Sequence, residues 1–199
     1  MSGAFPISTA KFGTLGIKSI QNTIISKTVS GKKLARQIDN QRWAFSVQII
    51  TAKRSDVYGE LMAFIIKQRS GKENFTIIPP EVEDARGTAS GTPHGTASAG
   101  DTSITLGGTG TGTLKAGDMI KFANPSKVYM VVADQSDIST GTLTIEPPLT
   151  TAVSSSDIQY DNVPFTVHLT NDVQEFGVSG ADKDGNLYYE YQFDVEESL

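Results

Sequence analysis

The chain has 199 residues, with 17 Lys and Arg against 22 Asp and Glu, and its formal net charge is −5. This balance argues against a dedicated nucleic-acid-binding protein, because such proteins concentrate basic charge. Cysteine is absent, which excludes disulfides, thiolate nucleophiles and cysteine-ligated metal centres. No apolar run approaches the roughly 20 residues that span a bilayer, and the first residues lack the pattern of a signal peptide. We therefore expect a soluble protein of a reducing compartment, without membrane insertion.

The first forty residues contain short β-rich stretches. One of them, residues 23–29, ends at a Ser-Gly pair and is followed by three basic residues, Lys32, Lys33 and Arg36. Lysine on an edge strand opposes unwanted strand pairing. We therefore interpret this basic cluster as a solvated loop or edge strand, and a site for an acidic partner is the alternative.

A strand is predicted over residues 43–49, where large apolar side chains alternate with smaller or polar ones. One face of this strand belongs to the core, and the other faces solvent or another subunit. Trp43 is the only tryptophan, and a lone aromatic residue in such a stripe is expected in the core.

A helix is predicted over residues 55–70. Ser55 is expected to cap its N-terminus, and Gly71 is expected to follow its last turn as the C′ residue. Its apolar side chains form one stripe at helical spacing, which would pack on the core. The stripe consists of Val57, Leu61, Phe64 and Ile65. A short strand over residues 74–78 then ends at two prolines.

The composition changes between Arg86 and Tyr160, where ten of 75 residues are charged, against 29 of 124 in the rest of the chain. This segment opens with a run of Gly, Thr, Ser and Ala. It continues with short strand-like runs that are joined by tight turns, and it has no helical pattern. The organisation predicts a small β-barrel or sandwich. The strand-like runs are residues 103–106, 119–122, 128–132 and 142–145.

After this segment, charged residues return to their earlier frequency. Alternation predicts strands over residues 165–169 and 187–195, and Asp184-Gly185 predicts a hairpin turn just before the second of them. The predicted fold class is mainly β, with a β-barrel or sandwich, one flanking α-helix and an inserted small all-β domain. The predicted domains are a split β-barrel scaffold, residues 1–88 and 159–199, and an inserted β-barrel-like domain, residues 89–158.

The search for catalytic residues is negative. His94 lies in the Gly- and Thr-rich run, and His168 lies on the polar face of a predicted strand. A nucleophile–histidine–carboxylate site needs a histidine that is held by a carboxylate, and the sequence gives neither histidine such a context. The Gly-rich residues 107–117 have neither the spacing nor the following helix of a phosphate-binding loop. We therefore predict no catalytic and no cofactor-binding residue.

Groups of acidic residues are the candidates for metal or acid–base chemistry. Residues 182–186 look superficially like a calcium loop. Their glycine is fourth rather than sixth and a strand follows, so a hairpin turn is favoured. The pairs Glu81/Glu83 and Glu196/Glu197 lie in expected loops or termini, and we interpret them as solvated charge rather than as acid–base pairs. We predict no metal-binding residue.

Residues 41–80 contain a recognisable order of elements. An alternating aromatic strand is followed by a helix with Leu61 and Phe64, a turn at Gly71, and a strand with Phe75 that ends in two prolines. This order resembles the distal tail proteins of long-tailed bacteriophages and the related lambda-type minor tail protein M. The closing segment YYEYQFDVEESL is similar to the last strand of that family, so the resemblance covers residues 1–85 and 160–199. Within the insert, LKAGDMIKF and KVYMVV resemble small β modules of phage structural proteins.

The resemblance implies a structural virion protein of the phage tail, assembled in the host cytoplasm, with no enzymatic activity and no cofactor. Such proteins form a ring at the distal end of the tail tube, in the tail tip or baseplate. The implied partners are further copies of the chain in a hexameric ring, the tail tube protein, and hub or tail-tip proteins, with no specific nucleic acid. Two alternatives stay open. They are a tail-tube or tail-completion protein, and a carbohydrate- or host-surface-binding module formed by the insert.

Overall fold

The computed structural model describes residues 3–6, 11–38 and 40–199. The chain is mostly β, with 47% of its residues in strands, and the described residues contain one α-helix. This confirms the predicted fold class. The helix α1 is Gly59–Lys67, and the strands are β1 Phe12–Ile20, β2 Thr23–Lys27, β3 Lys33–Gln37, β4 Arg42–Lys53, β5 Phe75–Ile77, β6 Pro93–Ala97, β7 Ser103–Gly108, β8 Met119–Phe122, β9 Val128–Val131, β10 Thr142–Glu146, β11 Val153–Gln159, β12 Phe165–Leu169, β13 Gly177–Ala181 and β14 Leu187–Glu197.

The strands form three separate sheets, one of which closes into a barrel. The main sheet has six strands in the order β1-β4-β14-β12-β5, and β13 also pairs with β14. A closed barrel has the order β10-β7-β6-β11-β8-β9. The strands β2 and β3 form a two-stranded hairpin of their own. Neighbouring strands in all three are antiparallel.

Side-chain alternation explains the main sheet. The alternating apolar residues of β4, from Trp43 to Ile49, are buried, as the period of two predicts. The same period in β14 buries Tyr191, Phe193 and Val195. Leu61 of α1 belongs to the same core cluster, so the helix covers the apolar face of this sheet.

The ends of the helix differ from the prediction. Residues Arg54–Tyr58 form a π-helical turn, and α1 begins only at Gly59. Ser55 is therefore not the cap, and its hydroxyl donates to the Asp56 carboxylate at 3.1 Å instead. At the other end, Arg69 adopts φ 54° just after the helix. Gly71 is not the C′ residue, and a Cβ at this position would lie 2.5 Å from the Leu169 carbonyl oxygen.

Two barrel strands, β6 and β11, were not predicted, because neither has clear apolar alternation. Gly95 in β6 shows the reason, since a Cβ there would lie 2.6 Å from the Phe122 ring and 2.8 Å from Ile104. Side chains from other strands fill the space that an inward-facing residue of β6 would otherwise use. The barrel has its own core cluster, which includes Ile104 and Phe122.

The Gly- and Thr-rich run folds back on itself through backbone hydrogen bonds and close backbone contacts. Backbone hydrogen bonds of 2.8 and 2.9 Å join Ser90 to Thr111. The backbone segments around residues 88 and 112 approach each other so closely that a Cβ at Gly112 would lie 2.1 Å from the Thr88 carbonyl oxygen, and Gly112 itself has φ +88°. The small residues are needed for this backbone approach.

The two connections between the main sheet and the barrel lie side by side. The Ala85 amide donates to the Tyr160 carbonyl at 3.0 Å, and the Val163 amide donates to the Glu83 carbonyl at 3.0 Å. Adjacent ends are the geometry that domain insertion requires. The division into a scaffold and an inserted domain at the stated boundaries stays a prediction.

Candidate functional site

The hairpin β2–β3 is the most exposed part of the described chain that has regular structure. Every residue of its two strands is exposed, and over the residues described, these strands pair only with each other. Ile24 and Ile25 are each 56% exposed, and Leu34 is 49% exposed. We refer to residues 23–37 as the arm.

The arm presents apolar side chains on both of its faces. The register places Ile24 beside Arg36 and Ile25 beside Ala35, and successive residues point to opposite faces. Lys27 lies directly opposite Lys33, and like charges in this position destabilise a strand pair. An isolated two-stranded hairpin is marginally stable in water. The arm therefore has the properties of a segment that a partner covers.

The predicted basic cluster lies on the arm. Lys33 and Arg36 are residues of β3, Lys32 precedes them in the turn, and all three are exposed. The cluster therefore lies on an exposed strand and its turn, and the choice between a solvated edge strand and a site for an acidic partner stays a prediction. The arm contains no acidic residue, so its charge is opposite to that of the whole chain.

The second surface is the polar face of the main sheet. The Lys18 ammonium donates to the Ser46 hydroxyl at 2.9 Å, and that hydroxyl donates to the Asp194 carboxylate. Arg42 pairs with Glu196 at 2.7 Å. Basic side chains on this face are thus matched with acidic or hydroxyl groups of neighbouring strands.

The third feature is a buried junction between the barrel and the main sheet. Glu197 is only 1% exposed and Lys127 is equally buried, and they form an ion pair. The interpretation of Glu197 as solvated charge is therefore wrong, whereas Glu196 lies on the polar face. The reason is the period of two in β14, which turns residue 197 to the core side with Val195.

Both carboxylate oxygens of Glu197 accept hydrogen bonds across the junction or within the sheet. One oxygen accepts from the Val128 amide at 2.8 Å, and the other accepts from the Trp43 amide at 3.1 Å and from Lys127. Lys127 also donates to the Gln41 side chain at 2.9 Å. Burial lowers the pKa of the Lys127 ammonium, and the charge of Glu197 opposes this shift. Each partner thus has hydrogen bonds besides the ion pair, which help to offset the cost of burying the two charges.

The acidic residues before the barrel behave differently. Glu81 is exposed, as the solvated interpretation requires, and Glu83 is half-buried. Partial burial, then the charges of Asp84 and Glu81, raise the pKa of Glu83. Burial and Asp84 likewise raise the pKa of Asp161. Mutual repulsion of neighbouring carboxylates explains the second contribution.

The two histidines lie far apart in the topology, one in the barrel and one in the main sheet. His94 in β6 contacts the Asp157 carboxylate of β11 at 3.0 Å, so the fold gives His94 a carboxylate neighbour that the sequence around it does not indicate. The pair is a cross-strand contact on an accessible part of the barrel. His168 in β12 lies opposite Glu196 in the register of the main sheet.

Residues 182–186 form the turn between β13 and β14. The Asp182 carboxylate accepts from the Asn186 amide at 2.9 Å, from its side chain at 2.8 Å and from the Asp184 amide at 2.9 Å. These bonds hold the pKa of Asp182 far below its usual value. The carboxylate stabilises the turn. Within the described residues, no group of three or more His, Asp or Glu side chains is arranged to hold a metal ion.

Comparison with known families gives a match on the barrel. Residues 82–163 match the family model of the B domain of distal tail protein pb9. This chain contains a phage distal tail protein domain. The distal tail domain includes all six strands of the closed barrel. The resemblance to phage distal tail proteins is thus confirmed for the barrel. The match overlaps residues 1–85 and 160–199 only at 82–85 and 160–163. No curated protein matches the sequence of the chain.

The similarity of the barrel to this domain supports a structural role in a phage tail. The matched family comprises structural tail proteins, which are typically non-enzymatic. A distal tail domain implies contacts with other components of the tail. Among the described residues, no helix combines the length and the apolar character that crossing a membrane requires.

Proposed function

We propose that this protein forms a ring at the distal end of a phage tail tube and links the tube to hub or receptor-binding proteins. The observation that carries the proposal is the arm. It is an exposed, two-faced apolar hairpin on a protein with a distal tail domain. A ring needs a heterologous contact, in which a protruding element of one copy meets a different surface of the next copy.

The distribution of charge along the chain supports the proposal that the arm binds a second copy of the chain. The arm contains Lys27, Lys32, Lys33 and Arg36 and no acidic residue, whereas the whole chain is negative. Each copy therefore offers a basic protrusion and an otherwise acidic body. Complementary charge of this kind guides association and fixes the register of the contact.

The polar face of the main sheet fits the channel of such a ring. A tail channel has to let DNA pass without holding it, and free basic side chains would bind the phosphate backbone. Lys18 and Arg42 are engaged with Ser46 and Glu196 on this face. We therefore expect no affinity for double-stranded DNA near physiological salt.

The carbohydrate-binding alternative has less support. Sugar rings commonly stack on exposed aromatic side chains. The distal tail domain, residues 82–163, has three aromatic residues, Phe122, Tyr129 and Tyr160, and all three are buried. A tail-tube or tail-completion protein stays the alternative within the same structural class.

The test is the oligomeric state of the purified full chain, measured by light scattering and negative-stain imaging over a range of protein concentrations. We expect closed rings for the parent protein. The variant Ile24→Ser/Leu34→Ser and the variant Lys32→Glu/Lys33→Glu are expected to stay monomeric with an unchanged melting temperature, because these side chains touch no core.

The matched control is Ile66→Ser, which changes an equally exposed apolar residue on α1, away from the arm. This variant is expected to assemble like the parent protein. A parent protein that stays monomeric at every concentration would contradict the ring. Arm variants that assemble normally would contradict the arm as the contact.

A further inference from the structure

We infer that the buried pair of Lys127 and Glu197 fixes the orientation of the barrel on the main sheet. The single chain has this orientation before it contacts any partner. The inference does not depend on ring formation. It concerns the position of the distal tail domain, whatever that domain contacts.

The two connecting segments do not fix this orientation by themselves. They are hydrogen-bonded to each other at Ala85–Tyr160 and Glu83–Val163, so they leave the sheet as a single two-stranded connection. Such a connection can bend and twist as a hinge, because few residues need to change their dihedral angles. A fixed orientation needs another attachment on a different strand.

Strand β9 provides this attachment. Both backbone polar groups of Val128 bond to the main sheet, since its amide donates to Glu197 at 2.8 Å and its carbonyl accepts from the Trp43 indole at 3.0 Å. Hydrogen bonds are directional, so bonds in two directions from one residue leave little freedom for rotation. Lys127 adds its bonds to Glu197 and Gln41.

Apolar contact alone would not select one orientation as sharply. Met119 and Val128 of the barrel belong to the core cluster of the main sheet, and apolar side chains tolerate small rotations of one surface over another. A buried ion pair contributes little to net stability but penalises every arrangement that separates the two charges. The pair therefore acts on orientation rather than on the total free energy of unfolding.

The absence of cysteine from the chain allows a direct measurement. Spin labels at Ala63→Cys on α1 and Ser136→Cys in the barrel loop between β9 and β10 occupy exposed positions. Their distance distribution reports the orientation of the barrel. Fluorescence of Trp43, the only tryptophan, reports opening of the junction independently.

We expect a narrow distance distribution in the labelled parent chain. Lys127→Met and Glu197→Gln are each expected to broaden it and to shift Trp43 emission to longer wavelength, with secondary structure retained. Lys115→Met is the matched control, because Lys115 forms an exposed ion pair with Asp134 in the same barrel. This control is expected to leave both signals unchanged.

The double variant Lys127→Met/Glu197→Leu separates orientation from stability, and it still tests the inference if a single variant fails to fold. It removes both charges, so we expect a folded protein with a melting temperature near that of the parent. Its distance distribution is expected to be broad. A narrow, parent-like distribution in the double variant would overturn the inference, because apolar packing would then fix the orientation. Narrow distributions in both single variants would overturn it as well.

Discussion

Replacing Leu61 by Ala tests whether α1 covers the core of the main sheet. Leu61 is fully buried, with 0% exposure, in the cluster that includes Trp43. The change removes three carbon atoms from that core, and their transfer to water accounts for about 2.4 kcal/mol. The cavity that remains raises the expected loss of unfolding free energy to about 3–5 kcal/mol. In a chain of this size, the melting temperature is expected to fall by about 6–20 °C.

The assay is urea unfolding followed by the fluorescence of Trp43, which lies in the same cluster and is the only tryptophan. Ile66→Ala is the matched control, because Ile66 is on the same helix and is 66% exposed. Its effect is expected to stay within about 0.5 kcal/mol. Equal unfolding midpoints for Leu61→Ala and the parent would refute the argument, because the helix would then add no buried contact to the core.

Two further predictions concern a backbone position and a charged turn. Gly112→Ala is expected to destabilise the protein by about 2 kcal/mol or more, because Gly112 combines φ +88° with a Cβ position 2.1 Å from the Thr88 carbonyl oxygen. The control is Gly107→Ala, because the space around the Cβ position of Gly107 is open. Equal calorimetric transition temperatures for the two variants would contradict the close approach at Gly112. Asp182→Asn is expected to lower the melting temperature at neutral pH. The hydrogen bonds from Asn186 and Lys53 lower the pKa of Asp182, so its contribution is present above the ordinary carboxyl pKa and is lost as the pH falls through the lowered value. The difference between parent and variant is therefore expected to narrow in acid, and a difference that grows in acid would show that the sign is wrong.

The strands and the helix stripe of the main sheet were predictable because their buried apolar residues recur in the sequence at the period of a strand or a helix. The alternating apolar residues of 43–49 and the helix stripe recur at the spacing of their elements. All of them are buried except Phe64, which is partly buried against the same core. Strands β6 and β11 have no such apolar periodicity in their sequences. In β6, Gly95 faces a space that the Phe122 ring already fills, so the residue that fits there has no side chain to reveal it.

The buried junction could be predicted only in part. The period of two in β14 continues from Val195 to residue 197, so the alternation itself indicates that Glu197 faces the core. Its partner Lys127 lies 70 residues away, just before strand β9 of the barrel, and no local pattern links the two residues. A carboxylate beside a chain terminus resembles solvated charge until the cation that faces it is known.

The seam formed by the paired connecting segments has a consequence for exchange of the barrel between proteins. A foreign barrel joined at residues 83–85 and 160–163 would meet the chain through the same short stretch of backbone hydrogen bonds. It would still arrive opposite Glu197, and unless it carried a lysine in the place of Lys127, that carboxylate would lose its counter-charge. A successful graft therefore has to bring a cation to the position of Lys127, or Glu197 has to be replaced together with the barrel.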